Sequence, residues 1–543
     1  MSDNRRNTTT WTPMAIAVAM VVGIVVGAIV GNPFASSRGD SDRKLNTVLN
    51  LISQEYVDDS IKIDDLVEMS IPAILSNLDP HSTYLSARDL QAANEELNGS
   101  FSGIGISFQV LDDTVTVMEV IPGGPSDKVG LLPGDKIVTV EGAPFVGDNV
   151  DANRVREKLR GDKNTKVKVG IKRANSEDIL NYTITRGDVP VNSVDAAYLI
   201  ERNVGYIKVN QFGRNTYDEF LNGLVSLKNE GAKKYIVDLR GNGGGYMEIA
   251  ILMANEFLDA NRLIVSTKGR YRRDDSNIFS DGAGRFQDAE IVVLIDEFSA
   301  SASEIFAGAI QDNDRGLIIG RRSFGKGLVQ KQFDLPDKSA IRLTIARYYT
   351  PSGRCIQKPY KPGAREYDDE LLSRLNNGEF FSRDSMKIDE SKIFSTTTGR
   401  KVYGGGGIVP DIFVPRDTVG YNSYYMVAFN AGALQQYAFT FVQNNKQSLS
   451  KISDYKQLLR NLPSNEQMLN EFVEFAAQKG VPARWYYINQ SRDLITTHLK
   501  ALIARDALGQ EAFYPIYNRN DNVIAAALKA LSQHKAAYPI TNR

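Results

Sequence analysis

Apolar positions along this chain change their spacing several times, and each change predicts a different element. From 11 to 31 the residues are almost all apolar, and no charged residue occurs from Asn7 to Ser37. A bilayer needs about 20 helical residues, so this run predicts a membrane helix. From 45 to 79 the apolar residues Leu49, Ile52, Tyr56, Leu66, Ile71 and Leu75 follow helical spacing. Over 98–187 the pattern shortens into β-like runs at 104–110, 114–120, 136–140, 166–171 and 180–185. Gly and Pro separate them, and one helical stretch lies at 150–159. Over 188–355 strands at 204–211, 234–239, 291–295 and 317–319 alternate with helices. The first helix carries Phe220, Leu224 and Leu227 and can be capped by Asn215 or Thr216; the next two fall at 247–257 and 301–311. Such alternation predicts an α/β core. A polar insertion follows at 356–407, closed by Gly404 to Gly407. The remainder is helical, with Ser464 and Gln467 spaced as a capping box and Gly480 as a stop.

The resulting divisions are a cytoplasmic tail (1–10), a transmembrane anchor (11–31), a linker (32–44), a helical region (45–97), a small β-rich module (98–187), an α/β core (188–420, insertion 356–407) and a helical C-terminal domain (421–543). Arg5 and Arg6 before the apolar run favour a cytoplasmic N-terminus. No small-x-small cleavage site closes the run, and without a cysteine there it cannot carry a lipid, so a retained anchor is expected. That makes the chain a single-pass inner-membrane protein whose bulk lies outside the cytoplasm, periplasmic in a Gram-negative cell. Gly23, Gly27 and Gly31 form overlapping GxxxG repeats, which let membrane helices approach closely and leave a homo-oligomer open.

Composition removes several kinds of chemistry. Lys plus Arg is 64 against 65 for Asp plus Glu, so charge supplies no reason to expect nucleic acid as partner. The single cysteine, Cys355, excludes an internal disulfide, a cysteine zinc site and a CxxC centre. Only His81, His498 and His534 are present, far apart in sequence, so a hydrolytic centre needs a base other than His. His81, in a Pro-containing turn, reads as a structural or exposed residue. No metal and no cofactor is expected.

Three segments of the α/β core can carry chemistry. Asp238-Leu239-Arg240 runs into Gly241-Asn242-Gly243-Gly244-Gly245 between a strand and a helix, where exposed N–H groups suit a phosphate or a reaction oxyanion; a plain tight turn is the bland alternative. Ser301, in Ser299-Ala300-Ser301-Ala302-Ser303-Glu304, stands where a nucleophile can project from a strand-to-helix turn, although its spacing to Glu304 also fits simple N-capping. Gly320 to Lys326 matches phosphate-loop spacing, but Gly327 replaces the hydroxyl residue and a strand-like stretch follows, so an ATPase is not expected. Lys326 can instead be a desolvated lysine that accepts a serine proton. Ser301 as nucleophile, Lys326 as base and the glycine loop with the N–H after Ser301 then compose a Ser-Lys hydrolase.

The chain resembles the carboxy-terminal processing peptidases, also called tail-specific proteases, over roughly residues 45–420. The resemblance rests on Leu78-Asp79-Pro80-His81-Ser82, Ser102-Gly103-Ile104-Gly105-Ile106, Gly130-Leu131-Leu132-Pro133-Gly134-Asp135, the Asp238 and Ser301 segments, Phe324-Gly325-Lys326-Gly327 with Gln330, and Gly407-Ile408-Val409-Pro410-Asp411. It implies a multidomain α/β protein: a crotonase-like ββα protease core, an inserted PDZ domain at 98–187, an N-terminal transmembrane helix and a helical C-terminal extension. It implies a Ser301–Lys326–Gln330 triad, with Gln330 orienting Lys326, and oxyanion donors at Gly244 and Ala302, with Gly243 a close competitor. It further implies that Gly103, Ile104, Gly105 and Ile106 capture the C-terminus of a protein substrate. Ile106, Val155 and Leu159 would line a pocket for an apolar tail, and Arg160 would carry a gating signal, with a solvated arginine at the helix end as the bland alternative. The long insertion and the residues after 420 depart from the family pattern. A catalytically silent PDZ scaffold is the alternative, and the presence of all three triad residues argues against it.

Overall fold

The computed structural model describes residues 39–535, apart from 59, 112, 148, 174–175, 362–366 and 368. The apolar run at 11–31 lies outside the described residues; among the described residues no helix is long and apolar enough to cross a membrane. The chain divides into two compact units between Asn77 and Leu78. The first contains the helices Gly39–Glu55 and Ile63–Leu75, so the helical spacing seen from 45 onward belongs to two helices rather than one.

In the second unit a six-stranded sheet runs in the order Val194–Glu201, Val204–Val209, Lys234–Asp238, Glu290–Ile295, Leu317–Gly320, Ile412–Phe413. The first pair is antiparallel and the rest are parallel. Parallel strands are covered on both faces, which is why 234–238 and 290–295 read as unbroken apolar runs. On one face Ile207, Val237, Val293 and Ile295 pack against the helices Thr216–Asn229, Met247–Asn255 and Ala302–Asp312. On the other, Tyr206, Ile236, Val292 and Leu294 pack against Val523, Ile524, Ala527 and Leu531 of the helix Asn522–Ser532. The last helix among the described residues is therefore one layer of the α/β core. The remaining C-terminal helices close around their own core, with Leu434, Phe472, Ile495 and Leu499 at its centre. There Ser464 caps through its hydroxyl (Gln467 N–H, 3.2 Å), while the Gln467 side chain turns to Glu471 instead of completing the box.

In a second, five-stranded antiparallel sheet Ala340–Tyr349 pairs with Thr83–Leu85, Leu263–Gly269 and Leu328–Asp334, and Ser276–Phe279 pairs with Leu263–Gly269. Residues 263–269 and 340–349 were not evident in the apolar spacing. The strand at 328–334 means that no helix follows Gly320–Gly327. The helix Thr216–Asn229 has no side-chain cap at Asn215. The Thr216 hydroxyl instead accepts from Gly213 N–H and donates to Gln211 O, tightening the preceding loop.

Strands Ile106–Leu111, Thr114–Val120, Lys136–Val140, Lys166–Lys172 and Ile179–Thr185 form the antiparallel sheet of the β-rich module, with Ala152–Leu159 as its helix. A short extra helix, Pro125–Val129, occupies what had read as Gly-Pro punctuation: Pro stands at its first turn and Gly130 ends it in the left-handed region. A ribbon of Ser100–Gly103 on Gly187–Pro190 brackets the points where the chain enters and leaves the module.

Candidate active site

The parallel strands deliver three loops to one end of the sheet. After Lys234–Asp238, Asp238 is buried and binds Arg240 through Nε and Nη2, while Arg240 Nη1 reaches Asp521 Oδ2 at 2.7 Å. The buried carboxyl of Asp238 is held far below the usual range, the Arg240 and Lys208 charges outweighing the cost of burial. The glycine loop that follows is stitched to the serine turn. Asn242 O accepts from Ala300 N–H (3.0 Å) and Ser303 Oγ (2.9 Å), and Leu239 O accepts from Ser299 Oγ (2.8 Å).

Ser301 sits between strand Glu290–Ile295 and helix Ala302–Asp312 at φ 57°, ψ −113°. A residue with a Cβ pays for such a backbone, and an observed outlier of this kind on a strand-to-helix turn is the geometry of a nucleophile elbow. Ser301 and Glu304 form the capping box that their spacing allowed, with the Glu304 side chain accepting from Ser301 N–H. Glu304 does more than complete that box. Glu304 is fully buried; Oε2 accepts from Ser301 N–H (2.8 Å) and Lys326 N–H (2.9 Å), and Oε1 from Gly325 N–H (2.7 Å) and the Ser323 hydroxyl (2.5 Å). Burial pushes its carboxyl up to about 7 against these four bonds. The Tyr348 hydroxyl lies 3.1 Å from Ser301 O and 2.5 Å from Lys326 O, bracing the same two residues from the other side. The loop amides of Gly325 and Lys326 thus face a carboxylate, which leaves no cradle for a phosphate.

Lys326 is half-buried, and its Nζ donates to Gln330 Oε1 at 3.1 Å. Burial, then the positive charge of Arg342, lowers its pKa from the ordinary lysine range. Ser301, Lys326, Gln330, Gly243 and Gly245 line one cleft of about 480 Å³. Among the described residues no hydrogen bond joins Ser301 Oγ to Lys326 Nζ. Among the described residues the N–H of Ala302, the first of its helix, has no backbone partner. Gly244 packs against Ser301, where a Cβ would lie 2.8 Å from the serine Cβ, but its N–H donates to Asn242 Oδ1 at 2.9 Å. Gly243 and Gly245 line the cleft, whereas the Gly244 N–H is taken up within the loop itself.

His81 is half-buried, 2.6 Å from the Tyr367 hydroxyl through Nε2, and burial together with the nearby Lys326 charge brings its pKa down to about 4. Its ring is neutral at neutral pH, and its carbonyl accepts from Gln330 Nε2. The insertion 356–407 is not a solvated loop. Arg374 donates to Ser323 O and Arg322 O, Arg322 pairs with Glu379, and Lys358 lies 4.0 Å from the ring centres of Phe324 and Tyr367. Its charges brace the segment that carries Lys326.

In the β-rich module, Ile106–Leu111 is an edge strand, paired among the described residues with Thr114–Val120 alone. Gly105 has φ +75°, and a Cβ there would meet Pro125 at 3.1 Å, so the turn into this strand requires glycine. Ile104, Val155 and Leu159 are buried in the same core, with Ile106 packed on it. Arg160 lies over Phe101 at 4.2 Å and pairs with Glu95 at 3.7 Å.

Comparison with known proteins gives this arrangement its class. The model of peptidase family S41 matches residues 203–364, that of the PDZ domain residues 102–184, and a family of unknown function residues 424–509. The chain is 35% identical over 328 residues to the carboxy-terminal processing protease CtpA of Bacillus subtilis (strain 168), covering 60% of this chain and 68% of that protein. It is 36% identical over 297 residues to the carboxy-terminal-processing protease of Bartonella bacilliformis, covering 54% and 67%. A solved photosystem II D1 C-terminal processing protease aligns over 70% of this chain and 94% of that one at 25% identity, with a TM-score of 0.35. The molecule is a serine-type endopeptidase with a PDZ domain and a helical C-terminal region. It belongs to the carboxy-terminal processing protease family.

Proposed function

We propose that Ser301 is the nucleophile, Lys326 the general base and Gln330 the group that orients it. The observation that carries this reading is the strained Ser301, sharing one cleft with a lysine whose burial disfavours its ammonium form. Neutral Lys326 takes the hydroxyl proton as Ser301 Oγ attacks the scissile carbonyl carbon, and returns it to the departing amine. Water then cleaves the acyl-enzyme with the same lysine as base. Ala302 N–H and Gly243 N–H stabilise the oxyanion. The serine-to-lysine hydrogen bond forms when substrate fills the cleft, since such bonds tighten in the Michaelis complex.

Substrates are proteins with an exposed apolar C-terminus. Their tail adds as a strand to the free edge of Ile106–Leu111, with its carboxylate at Gly103–Ile106 and its last side chain against Val155 and Leu159; Arg160 relays that occupancy toward the cleft. Residues 11–31 anchor the enzyme in the inner membrane with its catalytic region outside the cytoplasm, and their glycine repeats bring copies together. The decisive experiment incubates an unstructured protein with the purified chain and no nucleotide. Cleavage that vanishes in both Ser301→Ala and Lys326→Ala supports the dyad; either variant within tenfold of wild type refutes it.

A further inference from the structure

The triad leaves unexplained why Gln330, an ordinary strand position, presents its amide oxygen rather than its amide nitrogen to Lys326. A side-chain amide can be turned end for end with little change of shape. Here its nitrogen donates to the carbonyl of His81, while its oxygen accepts from Lys326 Nζ. A backbone carbonyl only accepts. Turning the amide would set oxygen against oxygen at His81 and, at Lys326, engage the amine lone pair with an amide N–H. The His81 carbonyl therefore selects the orientation.

That carbonyl is itself held by a built turn. Asp79, 6% exposed, accepts from His81 N–H and Ser82 N–H at Oδ1, both at 2.9 Å, and from the Ser82 hydroxyl at Oδ2, at 2.5 Å. Thr344 docks the turn onto the sheet: its hydroxyl donates to Asp79 Oδ1 and its N–H to Ser82 Oγ, each at 3.1 Å. Thr344 is the residue directly across from Gln330 in the pairing of Leu328–Asp334 with Ala340–Tyr349. The turn is thus fastened at the register position of the residue it contacts. The strand after it, Thr83–Leu85, continues the same sheet.

We propose that residues 79–82 are a positioning element of the catalytic centre. Asp79 and Ser82 hold the His81 carbonyl against Gln330, which locks the amide so that its oxygen takes one N–H of Lys326. The amine lone pair is then left for the Ser301 hydroxyl. Neither Asp79 nor Ser82 touches substrate; both act through Gln330. This rests on the reading of Gln330 as the group that orients Lys326.

The test is a double-mutant cycle in the full chain, reading kcat and KM on an unstructured protein with a free apolar C-terminus. Asp79→Ala should lower kcat by about tenfold or more with KM nearly unchanged, because orientation and not binding is lost. Asp79→Asn should retain most of kcat, since its amide oxygen still accepts the two N–H groups. Asp79→Ala combined with Gln330→Ala should be no slower than Gln330→Ala alone. If Asp79→Ala does not fold, Ser82→Ala takes its place in the same cycle. Losses that multiply, a change confined to KM, or an Asn variant as slow as Ala would overturn the proposal while leaving the triad intact. A Gln330→Ala enzyme with wild-type kcat would instead overturn the orienting role of Gln330 and this proposal with it.

Discussion

Glu304 is where stability and catalysis meet in one side chain, and two substitutions separate its contributions. Glu304→Gln keeps the shape and one accepting oxygen. Its best placement turns that oxygen toward Ser301 N–H and Lys326 N–H, the two donors now on Oε2. The amide nitrogen then faces Gly325 N–H and the Ser323 hydroxyl; the hydroxyl can turn to accept, the N–H cannot. One stranded buried donor costs about 1–3 kcal/mol, partly offset because burial no longer opposes a charge whose carboxyl sits at about 7. Glu304→Ala strands three N–H groups at once, roughly 3–9 kcal/mol before relaxation, and unties the serine turn from the lysine loop. A displacement of about 1 Å in a reacting group costs about a hundredfold. The expectation is a Gln variant within about tenfold of wild-type kcat and a few degrees of its melting temperature, and an Ala variant at least about a hundredfold slower and far less stable. Cleavage kinetics with thermal melts by circular dichroism decide it. A Gln variant as impaired as Ala would show that the charge, not the set of accepted bonds, is what matters; an Ala variant near wild type would refute the coupling altogether.

Other expectations follow from the same geometry. With the Lys326 pKa lowered by burial, the unfolded chain holds the proton to higher pH than the fold does. Activity should therefore rise through a pKa below the ordinary lysine range, and stability should rise with pH from that value toward the unfolded lysine pKa; Lys326→Met should lose this stability slope, and Lys326→Arg should be inactive at every pH, so an active Arg variant refutes the base. A substrate with a free apolar C-terminus should be cut faster than the same chain amidated, and Val155→Asp should erase the difference; equal rates with Val155 intact would show that the module does not read tails. Asp521→Ala should cost about 1–3 kcal/mol, because the half-buried Arg240 loses one of its two carboxylate partners; an unchanged melting temperature would show the pair to be idle.

The legible parts of the fold were those written in short-range periodicity. The parallel strands 234–238 and 290–295 are apolar on both faces, and the helix before the first of them repeats Phe220, Leu224 and Leu227 at a spacing that only a helix buries on one side. Strands 263–269 and 340–349 show no such period: in the first, Ser266 and Thr267 are buried beside Ile264 and Val265, and in the second Arg342, Thr344 and Arg347 interrupt the apolar residues. Segments of the candidate site could be recognised because glycine and serine at loop positions are constrained by backbone geometry. The Ser301-to-Glu304 spacing was visible, but its meaning was not: the partners of Glu304 lie about twenty residues downstream, at Ser323, Gly325 and Lys326. The same holds for Asp79, whose acceptor role toward Thr344 spans the length of the core. Side-chain bonds between distant segments leave no period in a sequence.

Those distant bonds explain why so many charged groups are buried where the chemistry is proposed. Ser301 and Lys326 come from different loops, and neither loop is part of a sheet that could hold it rigidly. Apolar packing would bury these loops but would not fix the direction of a hydroxyl or an amine, because it is not directional. Asp79, Asp238 and Glu304 each collect several donors from separate segments, and hydrogen bonds to a carboxylate are both strong and directional. Asp521 extends the scheme to the end of the chain: it binds Arg240 just before the glycine loop and caps the helix Asn522–Ser532, which covers the protease sheet. The C-terminal region is in this sense part of the scaffold of the proposed site, since the helix that completes the core begins at the residue that steadies the loop beside Ser301.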